Sequence, residues 1–454
     1  MLLSKKSADL CSGPILPNML ALTLPLMLSG ILQMLFTAAD TVVIGNFGSE
    51  HSLAAVGSTG GLTGLFVMLF IGLSVGSNAV CARCIGSDDE EGTSQALHTS
   101  ILFGLITGAC LTALILPLAD DLLRLMQTPE NVIGLSTVYL RIYSLGIIPT
   151  LVYNFATAVL RSKGDTRRPM YYLTIAGITN VLLNLLFVIV LKMDVAGVAL
   201  ATIISQSISA LLTILALMRE TGACRLHIRR LRLHKASMRE ILRIGLPAGL
   251  QGLINSLGGI AIQSCTNTFG PIVMAGFAAS GSVLSLFWAG ANAFAYSTLT
   301  LVSQNYGAKK YSRINRILLT SSVSVTVFAA ATGLLFYLFA APLIGLYDSR
   351  PEVVEVGITA IRTVCAFYFF GGIMDCASFA SRGLGYSLPP MFVATLGQTA
   401  MRFIWAFGVL QLPKFHTVPM LAFSDAVVWT VTCAAQLVCF FLVRRKFPKT
   451  DLAT

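Results

Sequence analysis

Apolar runs of roughly twenty residues recur along the whole chain, broken by short segments that collect glycine, proline and charge. Coiled as a helix, a run of that length matches the hydrocarbon thickness of a bilayer. Twelve such helices are expected, near 17–45, 53–83, 96–119, 132–160, 170–192, 195–218, 241–269, 273–305, 315–346, 354–381, 390–411 and 419–443. The fold class is therefore an all-α polytopic membrane protein. Composition agrees, since 55% of residues are hydrophobic and only 11% are charged. A soluble domain carries about 25% charged residues, so too few polar groups remain here to cover a watery surface.

The pattern also repeats. Leu24 and Pro25 recur as Leu246 and Pro247, Gly48 as Gly270, Gly86 as Gly307, and Arg141 as Arg362. "LRSKGDTRRPM" aligns with "SRGLGYSLPPM", which pairs Arg161 with Arg382, Gly164 with Gly385 and Pro169 with Pro390. A near-constant offset over so many landmarks marks a duplication. The expected organisation is an N-lobe (1–218) of six helices, a basic linker (219–240) and a C-lobe (241–454) of six more in the same orientation. Repeats related in this way, with a site between or within the halves, are a transporter architecture.

A net charge of +11 raises the question of nucleic acid. The bases cluster in short segments between apolar runs, and no basic face interleaved with aromatics exists, so nucleic acid is not an expected partner. With the N-terminus inside, 24 of the 31 Lys and Arg fall on inner segments. The outer loops hold Arg124, Lys192, Arg350 and Lys414, while Arg141, Arg362 and Arg402 lie within helices. This bias puts both termini in the cytoplasm. "MLLSKKSADLCSG" leads into a full-length apolar segment, so no cleavable signal is expected. Cys81 and Cys84 in "CARC" lack a second pair, so no zinc site is expected. No Ser/His or HExxH arrangement appears, and the five histidines read as helix-end or loop residues, so the chain is not expected to be an enzyme.

Taken together, the "LP" that opens the first and seventh helices, "AADTVVIGNFG", "LAAVG", "GLSVGSNAVCARCIG", "LRSKGDTRRP" and "GVALATIIS" resemble the multidrug and toxic-compound extrusion (MATE) family over roughly residues 15–445. The resemblance implies two six-helix lobes around a central cavity. It also implies antiport, in which entry of Na+ or H+ drives export of organic, often cationic, compounds or metabolites. No cofactor beyond the coupling ion is implied. The expected partners are a small organic substrate and the lipid bilayer, with the chain acting as a monomer in the bacterial inner membrane. The alternative is a flippase for a lipid-linked saccharide, for which three in-helix arginines make a weakly cationic cavity.

Within the spans, Asp40 is the residue that most needs a reason. A mid-membrane carboxylate costs about 2.5–3.5 kcal/mol and persists only protonated, paired or facing a wet site. Ser29, Gln33 and Asp40 share a narrow arc of helix 1, with Thr37 at its margin. Asn180 and Asn184 stack one turn apart on helix 5, and Thr202, Ser205 and Ser209 share a face of helix 6. An acid among amide and hydroxyl oxygens suits a hard cation or a proton; alternatively, Asp40 only ties helices 5 and 6 together. The resemblance favours the first, because the DinF-like branch uses an Asp on helix 1, polar residues on helix 5 and a Thr on helix 6. Asp40, Asn180, Asn184 and Thr202 occupy those places.

The second half does not repeat this set. Its corresponding residues are Ile262, Met401, Trp405 and Phe423. The NorM-like branch carries acids in that lobe, where this chain has Asn255 and Gly371, so the DinF-like branch is the nearer likeness. Asp375 is a secondary cation candidate, or else an ion-pair partner of Arg402 or Arg362. Asp425 reads as a solvated end residue, Arg141 and Arg362 as structural or snorkelling, and "DDEE" (88–91) as a solvated turn and helix cap. Gln33, Asn255, Met34, Phe36 and Asn154 are the substrate-cavity candidates.

Overall fold

A computed structural model describes residues 10–49 and 51–451, which form helices joined by short turns and include no strand. The first half contains α1 (Ile15–Phe47), α2 (Ser52–Gly86), α3 (Glu90–Leu125), α4 (Glu130–Leu145), α5 (Ile147–Ser162), α6 (Arg167–Asn184) and α7 (Asp194–Met218). The second contains α8 (Lys235–Thr268), α9 (Pro271–Gly307), α10 (Tyr311–Leu338), α11 (Ala340–Gly345), α12 (Pro351–Val364), α13 (Tyr368–Gly383), α14 (Leu388–Ala394), α15 (Met401–Phe407) and α16 (Val418–Arg444).

The expected spans lie within these helices, but several are interrupted. Helices α4 and α5 make one span bent by 42° at Gly146. Pro149 explains the bend: it has no N–H to bond the Leu145 carbonyl, and its ring crowds that position. Helix α6 continues into a π-helical turn, Leu185–Val190, and another, Thr395–Ala400, links α14 to α15. Among the described residues ten helices are long and apolar enough to cross a membrane, or eleven if the bent pair is one span. Helix α8 has the length but carries Gln251, Asn255, Gln263 and Asn267 along it.

By packing, the chain divides into two units. One includes Leu28–Gly245, and the other joins Asp9–Met27 to Leu246–Thr454. Both boundaries fall within two residues of a helix-interior proline, Pro25 in α1 and Pro247 in α8. In the first unit, Phe70, Ile115, Leu140, Leu151 and Phe155 form a shared core for α2, α3, α4 and α5. The start of α8 lies so close to α2 that a Cβ on Gly76 would fall 2.2 Å from the Ile241 carbonyl oxygen. Small residues permit this approach, as they commonly do between membrane helices. In the second unit Phe287 stacks on Tyr368 at 4.7 Å, and Thr23 of α1 donates to Ser297 of α9 at 2.9 Å.

The duplication recurs at the level of backbone angles. Gly164 and Gly385 both adopt φ near +90°, and each donates its N–H to a repeat-matched arginine carbonyl, Arg161 or Arg382, at 2.8 Å. A side chain would be strained at that angle, which is why glycine holds both positions. Asp89 caps α3 by accepting from the Gly92 N–H at 2.8 Å. The "DDEE" segment is therefore a helix cap, as its sequence implies.

The first unit also clamps its basic linker. Glu220, only 9% exposed, accepts from Lys163 at 2.5 Å and from Arg168, which also pairs with Asp165. Burial works against the Glu220 carboxylate, but its bonds from Lys163 and Arg168 outweigh it and hold the group below its ordinary 4.5. A depressed folded-state value means the clamp is fully stabilising above about pH 4.5 and is lost as pH falls below that. Glu220→Gln is therefore expected to cost about 2 kcal/mol of unfolding free energy at pH 7. In thermal unfolding at stepped pH, its difference from wild type should shrink towards pH 3.

Candidate functional site

Helix α1 is apolar over most of its length, so the environment of Asp40 is set by its neighbours rather than by its own helix. The neighbour is α6, whose Asn180 and Asn184 are spaced to share one face. Asn184 donates its Nδ2 to Asp40 Oδ1, and also to Asn180 Oδ1 at 3.3 Å. Asn184 is fully buried, Asn180 nearly so, and Asp40 half-buried. The Asn184 Oδ1 is buried with no hydrogen-bond partner among the described residues. An unpartnered amide oxygen beside a carboxylate fits a hard cation, and the carboxylate alone can carry a proton. The π-helical turn begins directly after Asn184, and such turns concentrate at functional positions.

Thr202 is placed differently. Its Oγ1 donates to the Val198 carbonyl of its own helix at 2.9 Å. Two residues the sequence pattern does not single out, Tyr139 and Tyr143 of α4, lie within electrostatic range of Asp40. Their rings stack at 5.8 Å. Their only sequence signal is the i, i+4 spacing of two phenols in an apolar span. Tyr143 also lines a cleft with Thr63, Phe70, Thr150 and Asn154.

The other cavity candidates separate. Asn154 lines this cleft and donates to the Thr150 carbonyl at 2.9 Å. Phe36 lies against α6, where a Cβ on Gly177 would come within 1.8 Å of its ring. Gln33 is exposed on α1 and Met34 is half-buried. Asn255 belongs to a polar cluster of the second unit, donating to Gln398 Oε1 at 3.1 Å and lying 3.4 Å from Thr399 Oγ1.

In that second unit the places matching the Asp40 set are apolar, with Met401 packed against a separate core cluster. Ile262 and Trp405 join one cluster, and Trp405 meets Phe423 ring to ring at 6.4 Å. Asp375 of α13 makes no ion pair among the described residues, and Arg382 is its electrostatic neighbour. Arg402 pairs instead with Asp425 at 2.7 Å, and Arg362 lies over the Tyr337 ring at 4.8 Å. Both proposed pairings of Asp375 are thus corrected, as is Asp425, which is an ion-pair partner rather than a free solvated end. The helix hairpin of α15 and α16 brings Arg402 and Asp425 together, a juxtaposition no helical periodicity encodes. Arg382, 2% exposed, donates to Gln251 Oε1 at 2.6 Å.

Known proteins resemble this chain along nearly its whole length. The family model MatE matches twice, at residues 25–186 and 247–407. "Probable multidrug resistance protein YpnP" of Bacillus subtilis is 30% identical over 402 residues, 88% of this chain and 89% of that protein. "Probable multidrug resistance protein NorM" of Thermotoga maritima is 26% identical over 96% of this chain and 94% of its own. The "FAD transporter" of Shewanella oneidensis is 30% identical over 77% of this chain and 78% of its own. Among solved structures, an outward-facing multidrug resistance MATE transporter superposes with a TM-score of 0.92 at 22% identity, covering 98% of this chain and 99% of that one. At that identity the likeness concerns the fold.

The buried Arg382 yields a direct test of the second unit. Gln251→Leu removes its acceptor and is expected to cost about 2 kcal/mol of stability. Gln251→Glu, which restores an acceptor, should unfold near the wild-type temperature in the same detergent.

Proposed function

The chain belongs to the MatE family, and from that membership we propose that it is a multidrug or metabolite exporter driven by Na+ or H+ antiport. Its relatives in this family are transporters, and its many apolar helices make it a multi-pass membrane protein. Substrates are organic, often cationic, compounds, in keeping with the names of the multidrug relatives. The family match and those names favour export over the flipping of a lipid-linked saccharide. Residence in a bacterial plasma membrane with both termini cytoplasmic accords with the distribution of Lys and Arg.

One observation carries the coupling role: Asp40 shares a buried polar cluster with Asn180 and Asn184, whose spare amide oxygen has no partner. In an alternating-access cycle the carboxylate holds the cation in one state and releases it in the other. Coupling requires that difference in affinity, since a ligand with equal affinity for both states shifts nothing. The kinship to the DinF-like branch rests on the same N-lobe carboxylate and on Asn255 and Gly371 in places that hold acids in the NorM-like branch. Asp375 remains the secondary cation candidate.

Transport of a panel of dyes into or out of proteoliposomes, with Na+ and H+ gradients imposed separately, tests this reading. Wild type should move substrate against one of the two gradients. Asp40→Asn should insert and fold as wild type does yet lose gradient-driven movement. Equal movement by the variant would remove Asp40 from the coupling.

A further inference from the structure

The linker after α7 is not a loose tether. Its residues 226–234 form a strap fastened to α3 by two buried side chains. His98, 2% exposed, donates Nδ1–H to the Ser94 carbonyl at 2.7 Å and accepts the His227 N–H at Nε2 at 3.1 Å. The two partners dictate that tautomer. His98 is thus a structural pin within α3, not the helix-end residue its sequence position implies. Thr99, fully buried, accepts the His234 N–H at 3.1 Å and donates to the Arg232 carbonyl at 3.4 Å. Leu226, 3% exposed, closes the near end by donating its N–H to the Leu217 carbonyl at 3.0 Å.

Between these pins a tight turn, Ile228–Arg230, sets the arginines around an open cavity. Arg229, Arg230, Arg232 and His234 line it from the strap, with Glu91 and Gln95 opposite on α3. Some arginines of this unit have carboxylates: Arg83 and Arg243 share Glu240, and Arg168 has Asp165 and Glu220. Among the described residues Arg229, Arg230 and Arg232 form no ion pair. Glu91 accepts instead from Gln95 at 2.9 Å. Three guanidinium groups line one cavity with a single carboxylate, Glu91, opposite them, so the cavity carries excess positive charge. A phosphate relieves it, and guanidinium donors match phosphate oxygens two at a time.

We propose that this cavity binds a phosphate-bearing anion, with the headgroup of an anionic phospholipid in the linker-side leaflet as the source the geometry favours. That preference comes from the strap itself. Ile228 and Leu233 are 60% and 45% exposed, interleaved with the arginines. Apolar residues alternating with arginine beside the ends of spanning helices suit the headgroup layer rather than open solvent. The pinned backbone adds preorganisation, since it fixes where the three arginines leave the strap.

Native mass spectrometry of the detergent-solubilised full chain, given equimolar phosphatidylglycerol and phosphatidylcholine, tests the proposal. Wild type should retain phosphatidylglycerol in preference by roughly tenfold or more. The triple variant R229Q/R230Q/R232Q should lose that preference, and Glu91→Gln, which removes only the opposing carboxylate, should increase it. Calorimetric titration with inorganic phosphate separates the sources. Phosphatidylglycerol preference without phosphate binding identifies the lipid, whereas phosphate binding abolished in the triple variant, without lipid preference, identifies a soluble phosphate compound. Absence of both in wild type overturns the proposal, as does a preference that survives in the triple variant or is unchanged by Glu91→Gln.

Discussion

A carboxylate in an apolar span has to be answered by something other than hydrocarbon. At about 2.5–3.5 kcal/mol on insertion scales, leaving Asp40 unanswered would consume a large part of a domain's net stability. The first unit answers it with amides. Helix α6 runs regularly to Asn184, placing two asparagines on one face, and then loosens into a π-helical turn. The result is a carboxylate with one donor and a neighbouring amide oxygen left unpaired. A purely structural tie would use both ends of the amide, and this one uses only the donor end.

The two halves show which features belong to the scaffold and which do not. Turns at Gly164 and Gly385 match in backbone angle and hydrogen bond, and prolines interrupt α1 and α8 at matched positions. The carboxylate cluster does not recur, and Ile262, Trp405 and Phe423 fill its place by packing. The second half therefore builds the same scaffold with apolar packing at these positions, so the carboxylate cluster is a feature of the first half alone.

Much of this was legible in the sequence because it is periodic. Run length located the spans, a constant offset exposed the duplication, and i, i+4 spacing put Asn180 and Asn184 together. Relations between helices carry no such period. Neither the electrostatic influence of Asp40 on Tyr139 and Tyr143 nor the pairing of Arg402 with Asp425 can be read from spacing within one helix. Phe36 illustrates the same limit: its apolar character fits a cavity wall or a helix contact equally, and the glycine opposite it, Gly177, makes the contact. His98 was misplaced for a related reason. A histidine near a helix start reads as a helix-end residue until the linker that covers it is in view.

Whether Asp40 is the seat of the exchanged cation can be settled by counting ions. Purified protein equilibrated with labelled Na+, or held in a weakly buffered pH indicator, is challenged with saturating substrate. Wild type should release close to one cation per chain, either Na+ or a proton, and Asp40→Asn should release none. The same release from the variant would contradict the assignment and leave Asp40 as a helix tie alone.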